Sequence, residues 1–309
     1  MVARIRGLGA KKLSYAGRVT LINAVLNTLQ NYWAQMFIIP KSIINHIMAI
    51  CRNYLWNGST IYQRVPLVAW DKVTMPKKEG GLGIRRADTW NIATVGKLVD
   101  WIYCKADALD QMVKEKLKNG YEDGSWNVNP KGYSIRNGYD WLSPDHPQLD
   151  WPAIVWNNWN VPKHSMTTWL RMHEGMNVKS KLVRYGCCAD DLCLLCQLQP
   201  ENVEHLFNTC VYTVKVQACL VHWFDGCFPT MTGLIATKRD SAQWKIKVAM
   251  FNAITYSIWY QRNNARINDC VVRPEVVAER IEEEVRRRIK RKSGNVADGI
   301  RSLNIRVAS

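Results

Sequence analysis

Four potential metal ligands fall within eighteen residues of this chain, in the order Cys193, Cys196, His205 and Cys210. Zinc prefers four soft or borderline ligands in a tetrahedron, and the two-residue gap lets one tight turn direct two thiolates at the same ion. Cys210 then follows His205 by about one helical turn. A closed Cys3His set leaves no position for water, so the spacing predicts a structural Zn2+ rather than a catalytic one. Buried thiols that cluster without a metal are the alternative.

The other cysteines do not resemble a secreted disulfide framework. Cys187 and Cys188 crowd beside the four predicted ligands, and the remaining five are spread along the chain in apolar surroundings. We expect a reducing, intracellular compartment in which these five are small buried thiols. They are Cys51, Cys104, Cys219, Cys227 and Cys270.

The charge distribution favours a polyanionic partner. The net charge is +16, and no Asp or Glu precedes Asp71. Such a one-sided field is typical of proteins that bind nucleic acid, which favours the nucleus over the cytoplasm. An arginine-rich, acid-free N-terminus is also typical of a transit peptide, but here the basic character continues into strongly periodic helical sequence. No apolar run approaches the length of a membrane span, so no membrane partner is expected.

Hydrophobic periodicity predicts a mainly α protein with room for about two domains in its 309 residues. Apolar residues recur at helical spacing over 22–36, and a second helix, capped by Ser42, is predicted to end at Asn57. A third is predicted over 92–102. Glycine and proline between 120 and 138 indicate a boundary or short hairpin. Further helices are predicted over 151–159, 165–173, 206–223, 243–262 and 274–292.

Three other motifs suggest sites but have simpler explanations. The run Gly80-Gly81-x-Gly83 lacks the spacing of a phosphate-binding loop, so we interpret it as a turn that needs positive φ. The pair Asp190-Asp191 is interpreted as exposed loop acid and not as a catalytic metal site. The three glutamates 282–284 precede arginines 286–288 by four residues each, which predicts three ion pairs along a solvated helix face. Lys290, Arg291 and Lys292 have no such partners and are candidates for phosphate contact.

Several motifs in order resemble the C-terminal part of a plant LINE-type, non-LTR retrotransposon reverse transcriptase. The chain carries them at 12–22 (KLSYAGRVTLI), 54–58 (YLWNG), 79–84 (EGGLGI), 133–135 (YSI), 204–210 (EHLFNTC) and 258–263 (IWYQRN). The resemblance extends to about residue 268. It assigns Cys193, Cys196, His205 and Cys210 to the zinc ligands of that family's reverse-transcriptase zinc-binding domain.

The resemblance implies a basic thumb-like helical region over 1–110, a zinc-binding domain over 120–230 and a helical tail over 231–309. The palm of the family, with its catalytic aspartates, has no counterpart in this sequence, and Asp190-Asp191 does not match its position. The chain is therefore expected to bind nucleic acid without enzymatic activity, and a separate polymerase palm is a further expected partner. The residues expected to contact the backbone are Lys11, Lys12, Arg18, Lys77, Lys78, Arg85 and Arg86.

Two other interpretations remain open from the sequence. The zinc domain could dock a protein partner, with the positive charge reflecting only its origin in a larger polymerase. Alternatively, the reading frame is a relic of the element without a selected role. The sequence does not distinguish RNA, DNA and hybrid as the nucleic acid.

Overall fold

The molecule is mainly helical and divides into two compact units, Met1–Gln148 and Leu149–Ser309. This computed structural model describes residues 13–26, 34–61, 65–103, 121–122, 125–126, 133–224, 228–237 and 241–292. The mainly α fold predicted from the sequence is confirmed. The finer division at 1–110, 120–230 and 231–309 stays a prediction.

In the described part of the first unit, helices alternate with short turns and one hairpin. The elements are α1 (Tyr15–Leu21), a π-helical turn (Ile22–Leu26), α2 (Lys41–Asn57), α3 (Trp70–Thr74), a 3-10 turn (Lys77–Glu79), α4 (Ala87–Tyr103), β1 (Tyr121–Glu122), β2 (Ser125–Trp126) and α5 (Ile135–Leu142). Strands β1 and β2 are antiparallel, with Tyr121 opposite Trp126. This hairpin lies within the predicted boundary region, and α4 includes the predicted third helix.

The two ends of α2 test the predicted start and end of this helix. The predicted cap Ser42 is wrong, because Pro40 is the N-cap and the helix begins at Lys41, two residues before the predicted start. The Pro40 carbonyl accepts the amides of Ile43 and Ile44 at 3.0 and 3.1 Å, and no side chain caps this end of the helix. The predicted end at Asn57 is confirmed. Gly58 adopts a left-handed φ of 67° there, a conformation that glycine adopts without strain.

The helix predicted over 22–36 is correct only in part. Helix α1 begins at Tyr15, seven residues before the predicted start. The Ser14 hydroxyl caps it by accepting a hydrogen bond from the Gly17 amide at 3.3 Å. A π-helical turn follows, and residues 27–33 lie outside the described part of the chain. Met36, placed on the apolar face by the pattern, is 51% exposed.

Helices α4 and α5 pack closely because small residues face one tyrosine. The Tyr133 hydroxyl donates a hydrogen bond to the Ala93 carbonyl at 2.7 Å. A Cβ on Gly96 or Gly138 would lie 2.7 or 1.9 Å from that hydroxyl oxygen, so both positions require glycine for the packing observed.

The second unit is built around one long helix. Its elements are α6 (Pro152–Val155), α7 (Pro162–Met172), α8 (Lys179–Arg184), a π-helical turn (His205–Thr209), α9 (Val211–Leu220), a 3-10 turn (Val221–Phe224), α10 (Met231–Ala236), α11 (Ala242–Asn268) and α12 (Pro274–Lys292). Helix α12 has the predicted limits, whereas α11 is longer at both ends than its prediction. Helix α11 packs against α7 and α12, and α12 also packs against α9.

One apolar cluster in the core of the second unit forms where α11 meets α6 and α10. Trp244, Val248 and Phe251 lie on one face of α11 and pack with Ile154 and Leu234. The Trp244 indole donates to the Leu234 carbonyl at 2.9 Å, which satisfies its one polar atom inside the core. Helices α10 and α11 therefore share a core with α6, which precedes the metal ligands in the sequence.

The three ion pairs predicted along α12 are not all formed. Glu282 pairs with Arg286 at 2.6 Å, and Glu283 lies 3.5 Å from Arg287. The third predicted pair is wrong, because the Glu284 carboxylate lies 3.0 Å from the Lys163 ammonium group of α7. Its expected partner, Arg288, donates instead to main-chain carbonyls. Partners on a neighbouring helix thus replace a partner on the same helix.

Within the residues that the structure describes, no helix has the length and apolar character needed to cross a bilayer.

Candidate metal centre

The first two candidate ligands lie on a tight loop that follows α8. The Cys193 amide donates to the Gln199 carbonyl at 2.8 Å, and the Gln197 amide donates to the Cys193 carbonyl at 2.9 Å. Gln197 has a left-handed φ of 56°, which reverses the chain just after Cys196. Leu192 and Pro200 form an isolated antiparallel bridge that closes the base of the loop. This turn brings Cys193 and Cys196 to one side, as the two-residue gap predicts.

The other two candidate ligands flank a π-helical turn. The Asn202 side chain accepts the His205 amide at 2.7 Å, and the Cys210 amide donates to the His205 carbonyl at 2.7 Å. That second bond spans five residues, the pattern of a π-helix. In an α-helix, residues five apart would lie about 140° apart around the axis. The wider π turn reduces this angle, so it explains how a five-residue step can serve one ion.

The donor atoms of all four residues converge. They lie within 4.8 Å of one another. Cys193 Sγ is 3.8 Å from Cys210 Sγ, and Cys196 Sγ is 3.3 Å from His205 Nε2. With Zn–S near 2.3 Å and Zn–N near 2.0 Å, a tetrahedral site requires S···S separations of about 3.8 Å and S···N separations of about 3.5 Å. The residues present therefore fit a tetrahedral zinc ion.

Three of the four candidate ligands are buried, and Cys196 is half-buried. Cys193 and Cys210 have no exposed surface, and His205 is 5% exposed. The hydrogen bond between the two sulfurs raises the pKa of Cys193 and lowers the pKa of Cys210, and burial also raises the pKa of Cys193. A metal binds both sulfurs as thiolates, so a bound ion would displace the proton that the two sulfurs share.

A threonine orients the imidazole. Nε2 of His205 faces Cys196, while Nδ1 lies 3.3 Å from the Thr209 hydroxyl. A proton on Nδ1 that is shared with Thr209 leaves the Nε2 lone pair free for a metal, as is usual around ligating histidines. The sequence motif did not identify Thr209. Its position four residues after His205 on a helical turn was the available signal.

A buried ion pair holds the loop to the long helix. Glu201 has no exposed surface and Arg262 of α11 is 1% exposed. Glu201 Oε1 accepts Arg262 Nε and Nη2 at 2.9 and 2.7 Å. The same carboxylate accepts the amides of Lys179 and, at 3.3 Å, Leu194, which lies between two ligands. This pair was missed, because its partners lie 61 residues apart in sequence.

The aspartates beside the loop form a local contact. Asp190 is exposed, pairs with the Lys179 ammonium group and accepts the Leu192 amide at 3.0 Å. The hydrogen bond with Lys179 lowers the pKa of Asp190. The interpretation of the pair as exposed loop acid is confirmed for Asp190, whereas Asp191 is half-buried and its carbonyl accepts the Glu201 amide at 2.6 Å.

The glycine turn, residues 76–83, has the predicted backbone. Gly80 and Gly83 have φ of 90° and 68°, and a Cβ on Gly81 would lie 1.8 Å from the Met75 carbonyl oxygen. The amides of residues 80–83 donate to the carbonyls of Lys77, Pro76, Val73 and Met75. Since these donors are already used, the turn does not offer a backbone cradle to a phosphate.

The residues predicted to contact nucleic acid differ in their surroundings. Lys11 and Lys12 lie outside the described residues. Arg18 donates to the Leu55 carbonyl at 3.0 Å, and Arg86 binds Asp88 at 2.9 Å, so both have structural partners.

Lys77, Lys78 and Arg85 face solvent. The Lys78 side chain is 79% exposed, although it lies 3.3 Å from Glu79. Arg85 is also exposed, and its guanidinium lies over the Trp90 ring at 4.3 Å. The Lys77 side chain lies against Gly83. Contact of all seven residues with nucleic acid stays a prediction.

The thiols away from the loop do not all follow the prediction. Cys51 is buried, and burial raises the pKa of its thiol to about 12. Cys219 and Cys270 are exposed, so the expectation of burial is wrong for these two. Cys104 and Cys227 lie outside the described residues. Cys219 lies on the outer face of α9, because helical periodicity buries Val216 and Leu220 instead.

Comparison with known proteins identifies the segment that contains this cluster. Residues 133–216 match a family described as zinc-binding in reverse transcriptase. A putative ribonuclease H protein of Arabidopsis thaliana is 36% identical over 169 residues, which cover 50% of this chain and 27% of that protein. An uncharacterized mitochondrial protein of the same plant is 28% identical over 75 residues, 24% of this chain and 52% of that protein.

The chain thus spans less than two thirds of the length of either relative. No solved structure matches it. The matches make this a retrotransposon-related protein with a segment of the reverse-transcriptase zinc-binding type.

Proposed function

We propose that the chain is a zinc-stabilised, nucleic-acid-binding part of a LINE-type, non-LTR retrotransposon reverse transcriptase. The observation that carries the proposal is the convergence of three sulfurs and one imidazole nitrogen within 4.8 Å. Three thiolates and one neutral imidazole are a donor set that zinc favours, and a closed set of four leaves no site for a reacting water. When bound, the ion would hold the shape of the loop over 192–210 and supply no chemistry of its own.

Nucleic acid is the partner that the charge supports. The net charge of +16 gives the chain an attraction for polyanions, and Lys78 and Arg85 are exposed cations beside the glycine turn. Arg85 over Trp90 is an arrangement that can meet a phosphate and a base together. We propose Lys11, Lys12, Lys77, Lys78 and Arg85 as the main backbone contacts of the first unit. Arg18 and Arg86 have a smaller part, since folding already uses their guanidinium groups.

The chain acts by binding and not by catalysis in this proposal. Polymerase assays on the isolated chain should give no template-dependent nucleotide addition, and measurable addition would overturn this part. A nuclear location belongs to the same proposal, because nucleic acid is the expected partner. A separate polymerase palm as partner also belongs to it, because the resemblance places this segment downstream of a palm.

One observation favours the rival function, a protein-docking module. Leu198 on the metal loop and Val211 and Val214 on α9 are 67%, 47% and 46% exposed. Exposed apolar side chains on neighbouring elements are typical of protein interfaces. On this alternative the zinc loop supports a protein contact, and the positive charge has no partner.

A titration of RNA and DNA binding against salt separates the two functions. Backbone binding predicts that log Kobs falls linearly with log salt, with a slope of about −0.7 per phosphate contact on single strands. We expect a slope of several units for the chain, and a smaller slope for the variant Lys78→Gln/Arg85→Gln. Lys41→Gln/Lys72→Gln removes two other exposed lysines of the same unit and serves as the matched control. Absence of nucleic-acid binding would favour the docking module.

A further inference from the structure

The C-terminal half of α12 carries a cluster of cations that is not among the contacts proposed for the first unit. Lys290, Arg291 and Lys292 end the helix and are all exposed. We define these three residues as the α12 basic end. They are consecutive, so their side chains project about 100° apart around the helix axis and cover much of its last turn.

The remaining cations of this half have partners within the protein. Arg286 binds Glu282 at 2.6 Å. Arg288 donates to the carbonyl oxygens of Asn158, Trp159 and Asn160, each at 3.1 Å. Structural contacts therefore satisfy these guanidinium groups, and they are not available to a ligand.

The nearest acid on the helix does not neutralise the α12 basic end. Glu284 lies 3.0 Å from Lys163 and 3.5 Å from His164, and hydrogen bonding to His164 lowers its pKa to about 2. Within the described part of the chain, the structure shows no ion pair for Lys290, Arg291 or Lys292. Three adjacent cations therefore face solvent while the neighbouring acid is bound elsewhere.

The apolar face of α12 restricts the class of partner. Val277, Ala278, Ile281, Val285 and Ile289 are buried, and the helix packs against α9 and α11. An amphipathic helix that binds a lipid surface needs its apolar face free to enter the membrane. Here that face belongs to the core, so the exposed surface offers charge alone. Charge without an accessible apolar face is suited to a phosphate backbone.

We infer that the α12 basic end is a second nucleic-acid contact surface, which binds backbone phosphates through Lys290, Arg291 and Lys292. The inference rests on the proposed nucleic-acid function and adds a contact in the second unit to those proposed in the first. Because lysine and arginine contact phosphates without reading bases, the surface adds affinity and not sequence preference.

The test is a fluorescence titration of the full chain with a labelled single-stranded RNA oligonucleotide of mixed sequence at several salt concentrations. The variant Lys290→Gln/Arg291→Gln/Lys292→Gln should reduce the slope of log Kobs against log salt by about 0.7 for each phosphate that is no longer neutralised, and so by about 2 if all three residues bind. The matched control is Lys215→Gln/Arg266→Gln/Arg280→Gln, which removes the same charge from three exposed positions on α9, α11 and α12. We expect its slope to equal that of the unmodified chain.

Each outcome decides the inference. An unchanged slope in the first variant, or equal reductions of the slope in both variants, would overturn it, since the second result shows only the effect of net charge. The inference would also be overturned if the first variant no longer bound phosphatidylserine vesicles but kept its RNA binding. If the unmodified chain binds no nucleic acid, the proposed function fails together with the inference. If it binds and only the α12 result is negative, the proposed function stands alone.

Discussion

The metal loop, residues 192–210, and the glycine turn, residues 76–83, are two short irregular segments with different physical bases. The metal loop points four side-chain donors at one centre, and three of the four residues are buried. The glycine turn uses its own amides, and its cations point outwards beside it. One segment is organised around side chains and the other around its backbone. Replacement of a side chain should therefore affect the metal loop far more than the glycine turn.

The largest effect is expected from removal of one ligand. Cys193→Ser replaces a thiolate with a hydroxyl that does not ionise near neutral pH, so the zinc content should fall from one ion per chain towards zero. Zinc contributes about 10–16 kcal/mol to folding in zinc-finger peptides, and the second unit should lose stability accordingly. Elemental analysis and urea unfolding measure the two effects. Cys219→Ser, at an exposed cysteine, should change neither.

The next largest effect should come from the buried pair that anchors the metal loop. Glu201→Gln leaves the Arg262 guanidinium buried without its counter-charge and should cost about 3–5 kcal/mol in the free energy of unfolding. Urea denaturation of the second unit is the measurement. Glu279→Gln, on the exposed face of α12, is the control and should stay within about 0.5 kcal/mol of the unmodified chain. A loss below about 1 kcal/mol in Glu201→Gln would show that the loop does not depend on α11.

A smaller effect is expected from removal of the hydroxyl group that orients the His205 imidazole. Thr209→Val removes the hydroxyl next to His205 Nδ1 and should weaken zinc affinity about 10-fold, because the partner of a ligating histidine fixes its orientation. Competition with a chromogenic chelator measures the change. Thr237→Val alters an exposed threonine at the end of α10 and should leave the affinity unchanged. Equal affinities in all three proteins would remove Thr209 from the site.

The smallest effect tests the glycine turn. Gly83→Ala places a side chain at a φ of 68° and should destabilise the first unit by about 1 kcal/mol. Gly17→Ala serves as the matched change within α1, where the new Cβ would meet Leu13 at an ordinary 3.5 Å. It should be neutral or stabilise the unit by about 0.5 kcal/mol. Urea unfolding of both variants measures the difference, and zinc content should be unaffected in each.

The contrast between the two segments also explains how far the sequence could predict the protein. The spacing of Cys193, Cys196, His205 and Cys210 is a local code, because a turn and a short helical segment suffice to bring these side chains together. The glycines at 80 and 83 are local in the same sense. The helical periodicity of apolar residues was sufficient to predict the mainly α fold and the limits of α12.

What the sequence did not reveal depends on partners that are distant along the chain. Glu201 meets Arg262 only once α11 lies beside the loop, and Glu284 leaves its expected partner for Lys163 on another helix. Ser42 failed as a cap because Pro40 already starts the helix. Cys219 is exposed because a helix has an outer face as well as an inner one. The contacts of Glu201 and Glu284 follow from tertiary packing, which a pattern of residue types does not specify, whereas Ser42 and Cys219 were assigned wrongly from local features.

X-ray absorption at the zinc edge of the purified full chain tests the central claim most directly. The account predicts one zinc per chain with three sulfur neighbours near 2.3 Å and one nitrogen neighbour near 2.0 Å. A chain without stoichiometric zinc, or a metal shell of oxygen and nitrogen alone, would contradict it.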